Sequence, residues 1–292
     1  MTAGAAALDR RALERVVEQA LDEDLGTEEL GTSPGPAGDV TTNALLGPAT
    51  RAQARLVVKE TGVLCGLPVA EAVFRALDRD VDYEPLVAEG ESVEAGVTVA
   101  RVEGSGRAIL TAERTALNLL GRLSGVATLA RAFVEEAAGT GVVVLDTRKT
   151  TPGLRALEKY ATRVGGATNH RFGLYDGVLV KDNHLRLAGG VAAAVAMLRQ
   201  ADTGHPIEVE VETLDEVRQA LAAGADVLLL DNMATDLMAR AVGMARGRAR
   251  TEASGGVTLS RVRAVTQTGV DSVSVGAITH GARSLDVSME VL

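Results

Sequence analysis

The sequence predicts an α/β protein in two parts, a mixed α/β domain over residues 1–112 and an open or incomplete β/α barrel over residues 113–280. Three observations carry this. From about residue 112, six apolar runs alternate with stretches of helical periodicity, the pattern of a parallel sheet with crossover helices. That portion is about 180 residues long, short of the roughly 250 of a closed eight-unit barrel. Ahead of it the rhythm is irregular and punctuated by glycine.

Taken in order, MTAGAAALDRRALERVVEQALDEDLG reads as a loose tail and then an amphipathic helix, without the basic start and apolar run of a signal peptide. GTEELGTSPGPAGDVTT (26–42) is rich in Gly, Pro and Thr and reads as a loop. ARLVVKE reads as a strand, PVAEAVFRALD as a helix, and GESVEAGVTVARVEGSGRAIL as short strands joined by glycine turns. Lipoyl and biotinyl carriers share that last pattern. They need a lysine at the hairpin tip, however, and no Lys occurs between Lys59 and Lys149. From 112, TAERTALNLLGRLSGVATLARAFVEEAAG has the apolar spacing of a long helix. VVVLDT (142), GVLVKDN (177), PIEVEVE (206), DVLLLDN (226), TEASGG (251) and SVSVGA (272) then read as strands apolar on both faces, whose apolar parts fill the barrel. Helices such as LDEVRQALAAG and SRVRAVTQTG lie between them. A doubly wound sheet is the competing arrangement.

Composition narrows the function. The chain is 46% hydrophobic and 24% charged, ordinary for a globular protein. One cysteine, Cys65, excludes an internal disulfide framework and reads as a small buried residue. No run approaches the ~18 apolar residues of a membrane helix, so a cytoplasmic location is expected, with no membrane partner. A net charge of −9 with 2% aromatics and no Trp argues against nucleic acid. Residues 146–186 depart from that bulk charge, holding eight Lys/Arg against four Asp/Glu, plus His170 and His184. A basic island in an acidic protein points to a small anionic ligand. Only four of the 30 basic residues are Lys, and three of them (Lys149, Lys159 and Lys181) fall within 33 residues. A compact ammonium is not interchangeable with a guanidinium fork.

Each strand run ends in polar residues, and parallel strands deliver their C-terminal ends to one rim. That rim would collect Arg148, Lys149, Arg171 and Lys181 as cations and Glu210 and Asp231 as acids. Two carboxylates with a polyphosphate suit Mg²⁺. SGG (254–256) and VGA (275–277) close consecutive strands with small residues whose N–H groups can approach a phosphate. A Schiff-base lysine is the rival chemistry, but it prefers an apolar pocket, whereas Lys149 adjoins Arg148 and Lys181 adjoins Asp182. His170 is open to a site role or a structural one, and Asn169 and Arg171 beside it favour the site.

These stretches resemble the quinolinate phosphoribosyltransferase family, in order and over nearly the whole chain. GDVTTNALL, TAERTALNLLGRLSGVAT, DTRKTTPGLRALEKYA, GGATNHRFGLYDGVLVKDNH, EVEVETLDE, LLLDNM, EASGG, SVGAITH and GARSLDVS carry the resemblance. Ala167 stands where a third glycine is expected. The resemblance implies an N-terminal α/β sandwich, with the tail 281–292 packing on it, and an incomplete barrel of about seven strands, TNHRFG supplying a short extra one. It implies phosphoribosyl transfer from phosphoribosyl pyrophosphate to quinolinate with decarboxylation, using Mg²⁺. It places Arg114, Thr147, Arg148, Lys149, His170, Arg171 and Lys181 on quinolinate, with Lys149, Lys181, Glu210 and Asp231 catalytic. Glu210 and Asp231 would hold the ribose and the metal. Ser254, Gly255, Gly256, Val275, Gly276, Ala277 and His280 would hold the 5′-phosphate. It also implies homodimers, or assemblies of dimers, with shared sites to which Arg114 reaches across.

Two alternatives stand beside it. A paralogous branch linked to molybdenum metabolism shares TRKT…PG but tends to lack KDNH, which is present here at 181–184. A ligand-binding barrel without turnover would have lost Lys149, Glu210 or Asp231, and all three are present.

Overall fold

The computed structural model describes residues 8–26 and 38–292, in two compact units. One unit comprises the residues up to 130 with 151–166 and 282–292, the other 131–150 and 167–281. Most of the expected N-terminal tail and of the 26–42 loop falls on residues 1–7 and 27–37, outside the described residues.

In the first unit, α1 (Arg10–Leu25) starts where Asp9 accepts the Ala12 N–H at 3.0 Å, and it buries Ala12, Val17 and Leu21. The chain turns helical again at α2 (Val40–Leu45), inside the stretch read as loop, because the Asp39 carboxylate accepts the Thr42 N–H at 2.9 Å. There follow β1 (Arg51–Val58), β2 (Gly62–Val63), α3 (Leu67–Leu77), β3 (Asp82–Pro85), β4 (Ser92–Val93), β5 (Thr98–Ser105), α4 (Gly106–Ala137), whose residues from 131 on belong to the second unit, and, on the chain's return, α5 (Arg155–Val164). The C-terminal strand Val287–Val291, β1, β5 and β3 form an antiparallel sheet in that order, and β2 pairs with β4. α4 begins five residues ahead of the TAERT stretch that showed helical spacing.

Two carboxylates, Glu158 buried and Glu89 half-buried, tie this unit together. Glu158 accepts from Arg122 Nη2 (2.7 Å) and Nε (3.0 Å) and from the Thr151 amide and hydroxyl. Glu89 accepts the Gly66 and Leu67 N–H groups at the start of α3, and the Tyr160 hydroxyl at 2.6 Å. Burial, then the Glu89 charge, pushes the Cys65 thiol well up, so it carries no thiolate chemistry.

The second unit contains β6 (Val143–Leu145), β7 (Val178–Val180), α6 (Asp182–Ala188), α7 (Val191–Ala201), β8 (Ile207–Val211), α8 (Leu214–Ala223), β9 (Val227–Asp231), α9 (Thr235–Ala245), β10 (Arg250–Ser254), α10 (Leu259–Thr266), β11 (Ser272–Ser274) and α11 (Ala277–His280). All six expected runs form one parallel sheet, in the order β6-β11-β10-β9-β8-β7. Successive strands from β7 to β11 step in one direction without reversal. With right-handed crossovers that places every helix on one face, which is barrel logic and excludes a doubly wound sheet. The sheet stays open, because β6 and β7 are its two edges.

Six strands form where about seven were expected. The TNHRFG segment contributes one parallel bridge, Thr168 to Leu145. Beyond it the ladder stops because side chains take the next amides: Asp146 accepts the His170 N–H, and Asp176 accepts those of Phe172 and Gly173.

The strands are not apolar on both faces. Val144, Val180, Val209, Val211, Leu228, Leu230, Ala253 and Val273 alternate onto the helix-covered face and are buried to 4% exposure or less. The cross-strand register aligns Leu179 with Glu208, Glu210 with Leu229, Leu229 with Glu252, and Asp231 with Ser254. With a side-chain period of two, these share the opposite face. The barrel interior is therefore lined largely by acids and serines, not filled by the apolar ends of the strands.

Candidate active site

A cavity of about 760 Å³ opens at the C-terminal ends of these strands. Thr147, Arg148 and Lys149 reach it after β6, His170 and Arg171 after the Thr168 bridge, and Lys181 after β7. Glu210 and Asp231 close β8 and β9, while Ser254, Gly255 and Gly256 follow β10 and Gly276, Ala277 and His280 follow β11. One expected residue is elsewhere. Val275 is 1% exposed and its N–H donates to the Leu145 carbonyl at 2.9 Å, which leaves it nothing to offer a phosphate. Arg114, expected to serve the other subunit's site, is exposed on α4.

The cationic side is short of counter-charge. Arg148 Nε is buried with no hydrogen-bond partner. Arg171 donates to the Gly177 carbonyl at 3.1 Å. Burial, and then the neighbouring Arg148 charge, holds the Arg171 guanidinium below its usual range. Two guanidinium groups in one half-enclosed space favour an anion between them, which relieves the repulsion of like charges. Lys181 Nζ lies 2.9 Å from Glu210 Oε2 and links the cations to the acids. In KDNH, His184 Nδ1 accepts the Lys181 N–H at 2.9 Å, so that histidine holds the turn into α6.

Glu208 and Glu252 went unassigned in the sequence, although IEVEV and TEAS show acids recurring at the strand period. Both are buried, at 7% and 3% exposure, and they flank His170 Nε2 at 3.3 and 3.5 Å. Burial pulls the His170 pKa down, but hydrogen bonds and charge from the two glutamates outweigh it and lift it to about 10. The Arg171 N–H, however, points at His170 Nδ1 at 2.7 Å, and a charged ring would set two donors head-on there. The geometry favours a ring protonated on Nε2 only, with the second proton on Glu208, whose carboxyl burial pushes up. Either placement puts two protons on three groups, for a cluster charge of −1. Both ring nitrogens are engaged within the protein, so His170 presents the cavity with ring carbon. The three ligand atoms lie within 4.8 Å of one another, a spacing that also suits a metal ion.

Buried Asp146 bolts the rim together, accepting from Asn169 Nδ2 at 2.7 Å and from the His170 N–H at 2.8 Å. Opposite the cations, Gly255 and Gly256 are consecutive left-handed residues (φ +87° and +56°), which turn successive N–H groups to one side. Arg261 holds the Gly256 carbonyl at 3.1 Å. A Cβ on Gly276 would lie 2.9 Å from Lys149 Cδ, so glycine there lets the lysine lie across the second loop.

The acids fit Mg²⁺ in number and kind. Lys181 takes Glu210 Oε2, and Asn232 Nδ2 takes Asp231 Oδ2 at 2.7 Å. That leaves an oxygen on each for a cation that is usually held by one or two carboxylates plus substrate phosphates and water.

The sequence profile of the quinolinate phosphoribosyl transferase C-terminal domain matches residues 126–290, and that of the N-terminal domain matches 39–124. The chain is 46% identical over 281 residues to a probable carboxylating nicotinate-nucleotide pyrophosphorylase of Synechocystis, covering 94% of this chain and 91% of the relative. It is 42% identical to the Bacillus subtilis protein of the same description, covering 90% of each. The solved nicotinate-nucleotide pyrophosphorylase of Francisella tularensis superposes with a TM-score of 0.90 at 38% identity over all of both chains. Its matched domains, its relatives and its cavity agree: the chain belongs to the quinolinate phosphoribosyltransferase family.

Proposed function

We propose that the protein transfers the phosphoribosyl group of phosphoribosyl pyrophosphate to the ring nitrogen of quinolinate, releasing pyrophosphate and CO₂ and leaving nicotinate mononucleotide. The carrying observation is the cavity's division into a guanidinium side with a buried unpartnered Arg148 Nε and a glycine-loop side, with two acids between. Arg148, Arg171 and Lys181 face the two carboxylates, and the loops at 254–256 and 276–277 cradle the 5′-phosphate. The nitrogen forms its bond to ribose C1 as the C1–oxygen bond to pyrophosphate breaks, and fixed cations stabilise the charge that develops on the leaving group. The ring nitrogen is then cationic. It stabilises the electron pair left at C2 when the adjacent carboxylate departs as CO₂, and C2 takes up a proton. Bound Mg²⁺, held by Glu210 and Asp231, would neutralise pyrophosphate charge. Purified protein with both substrates and Mg²⁺ should release pyrophosphate and CO₂ in equal amounts, and release of neither overturns the reading.

Glu210→Gln and Asp231→Asn keep shape and remove charge. Each should lower metal-dependent turnover far more than quinolinate affinity, and an unchanged Mg²⁺ titration in both variants would remove these acids from the metal site.

The reading includes a homodimer in which Arg114 completes the other subunit's site. Arg114→Ala and Lys149→Ala should each be nearly inactive alone. After full subunit exchange half the dimers carry one intact site of two, so roughly a quarter of wild-type activity should return. No recovery despite demonstrated exchange rejects the shared site.

A further inference from the structure

Among non-glycine residues described, Asn232 and Asp202 have positive φ, and Asn232 (φ +52°) lines the cavity directly after Asp231. Left-handed backbone is costly for most side chains and tolerated best by Asn, Asp and Gly. Here the conformation turns the side chain back along the rim, so that Asn232 Nδ2 donates to Asp231 Oδ2 at 2.7 Å. The backbone of Asn232 is tied to the phosphate-side loop, its N–H donating to the Ser254 carbonyl at 2.9 Å. The loop is shaped around it in turn: a Cβ on Gly255 would stand 2.4 Å from Asn232 Oδ1 and 2.8 Å from the Asn232 backbone nitrogen. Gly255 thus answers two demands at once, a φ of +87° and room for the Asn232 amide.

From this geometry we infer that Asn232 is a positioning residue for the phosphoribosyl pyrophosphate end of the site. The loop fixes Asn232, and Asn232 fixes one oxygen of Asp231 so that the other faces the ligand. An Asp231 free to rotate would have to be ordered by each incoming ligand, at the expense of affinity. The quinolinate end has no such link, because Arg148, Arg171 and Lys181 lie on other strand ends.

The inference rests on the phosphoribosyl-transfer reading, and calorimetry separates their failures. Wild-type protein that binds neither phosphoribosyl pyrophosphate with Mg²⁺ nor quinolinate rejects that reading. Given wild-type binding, Asn232→Gly keeps the left-handed backbone and deletes the amide. It should weaken phosphoribosyl pyrophosphate roughly tenfold, about 1.4 kcal/mol, with quinolinate affinity within about twofold. Asn232→Asp, isosteric and tolerant of positive φ, should show the same split should the glycine variant fold poorly. In an Asp231→Asn background, Asn232→Gly should add little further loss, because the group it orients is already disabled. Unchanged phosphoribosyl pyrophosphate binding, equal losses for both ligands, or fully additive losses in the double variant would each overturn the inference.

Discussion

Arg171→Ala should weaken quinolinate binding about 30-fold or more and leave phosphoribosyl pyrophosphate binding nearly unchanged. Removing one member of a desolvated charge pair typically costs ~2–5 kcal/mol, and each 1.4 kcal/mol is about tenfold. Two features set the sign. In the free protein burial and the like charge of Arg148 oppose the Arg171 guanidinium, while Glu208, Asp176 and the Gly177 carbonyl favour it, so its removal should move the thermal midpoint little. In the complex, the second carboxylate of quinolinate loses its counter-charge. Nicotinate lacks that carboxylate, so its binding should change little and discrimination between the two acids should shrink. Calorimetry with all three ligands decides it, and equal losses for quinolinate and phosphoribosyl pyrophosphate would sink this division of the cavity.

Gly125→Ala should destabilise the first unit by about 1–3 kcal/mol, against a helix-propensity gain of up to about 1 kcal/mol for the same change on an open face. A Cβ at residue 125 would stand 1.8 Å from the Arg283 carbonyl oxygen, and one at Gly121 would stand 2.6 Å from that of Leu285. These are backbone atoms with little room to yield. The Leu285 N–H donates to the Gly121 carbonyl at 2.9 Å, and Arg122 Nη1 donates to the Ala282 carbonyl at 2.8 Å. Gly121 and Gly125, one turn apart on α4, form the groove in which the C-terminal segment lies. The matched control is Gly243→Ala in α9, where a Cβ meets nothing within 4 Å. It should be neutral or stabilising by about 0.5–1 kcal/mol. A Gly125→Ala midpoint at or above wild type would refute the groove.

That pair shows where sequence reasoning reaches its limit. Inside a helical pattern both glycines look like the same weak point. Only the segment from 283 to 285, some 160 residues downstream of Gly125, distinguishes them.

The site divides in the same way. Adjacent polar residues at the end of an apolar run are a local signal, and it located Arg148, Lys149, Lys181, Glu210, Asp231 and the 254–256 loop, all of which line one cavity. The six strands were legible for the same reason, since each is a short apolar run bounded by turn residues. Their lateral order was not, because β6 comes first in the chain yet pairs with β11.

What the sequence determined by itself, then, was the elements and the chemistry at their ends, because periodicity and turn residues act over a few positions. What only the tertiary structure decided was which faces and ends meet. Glu208 and Glu252 lie on separate strands with β9 between them, and neither reads as a partner of His170 until the strands are aligned side by side. Asn232 and Gly255 are 23 positions apart, and they constrain each other only because parallel pairing sets the end of β9 beside the end of β10. Hydrogen bonding across a sheet and close packing are contacts between residues distant in the chain, so no local pattern of residue types records them.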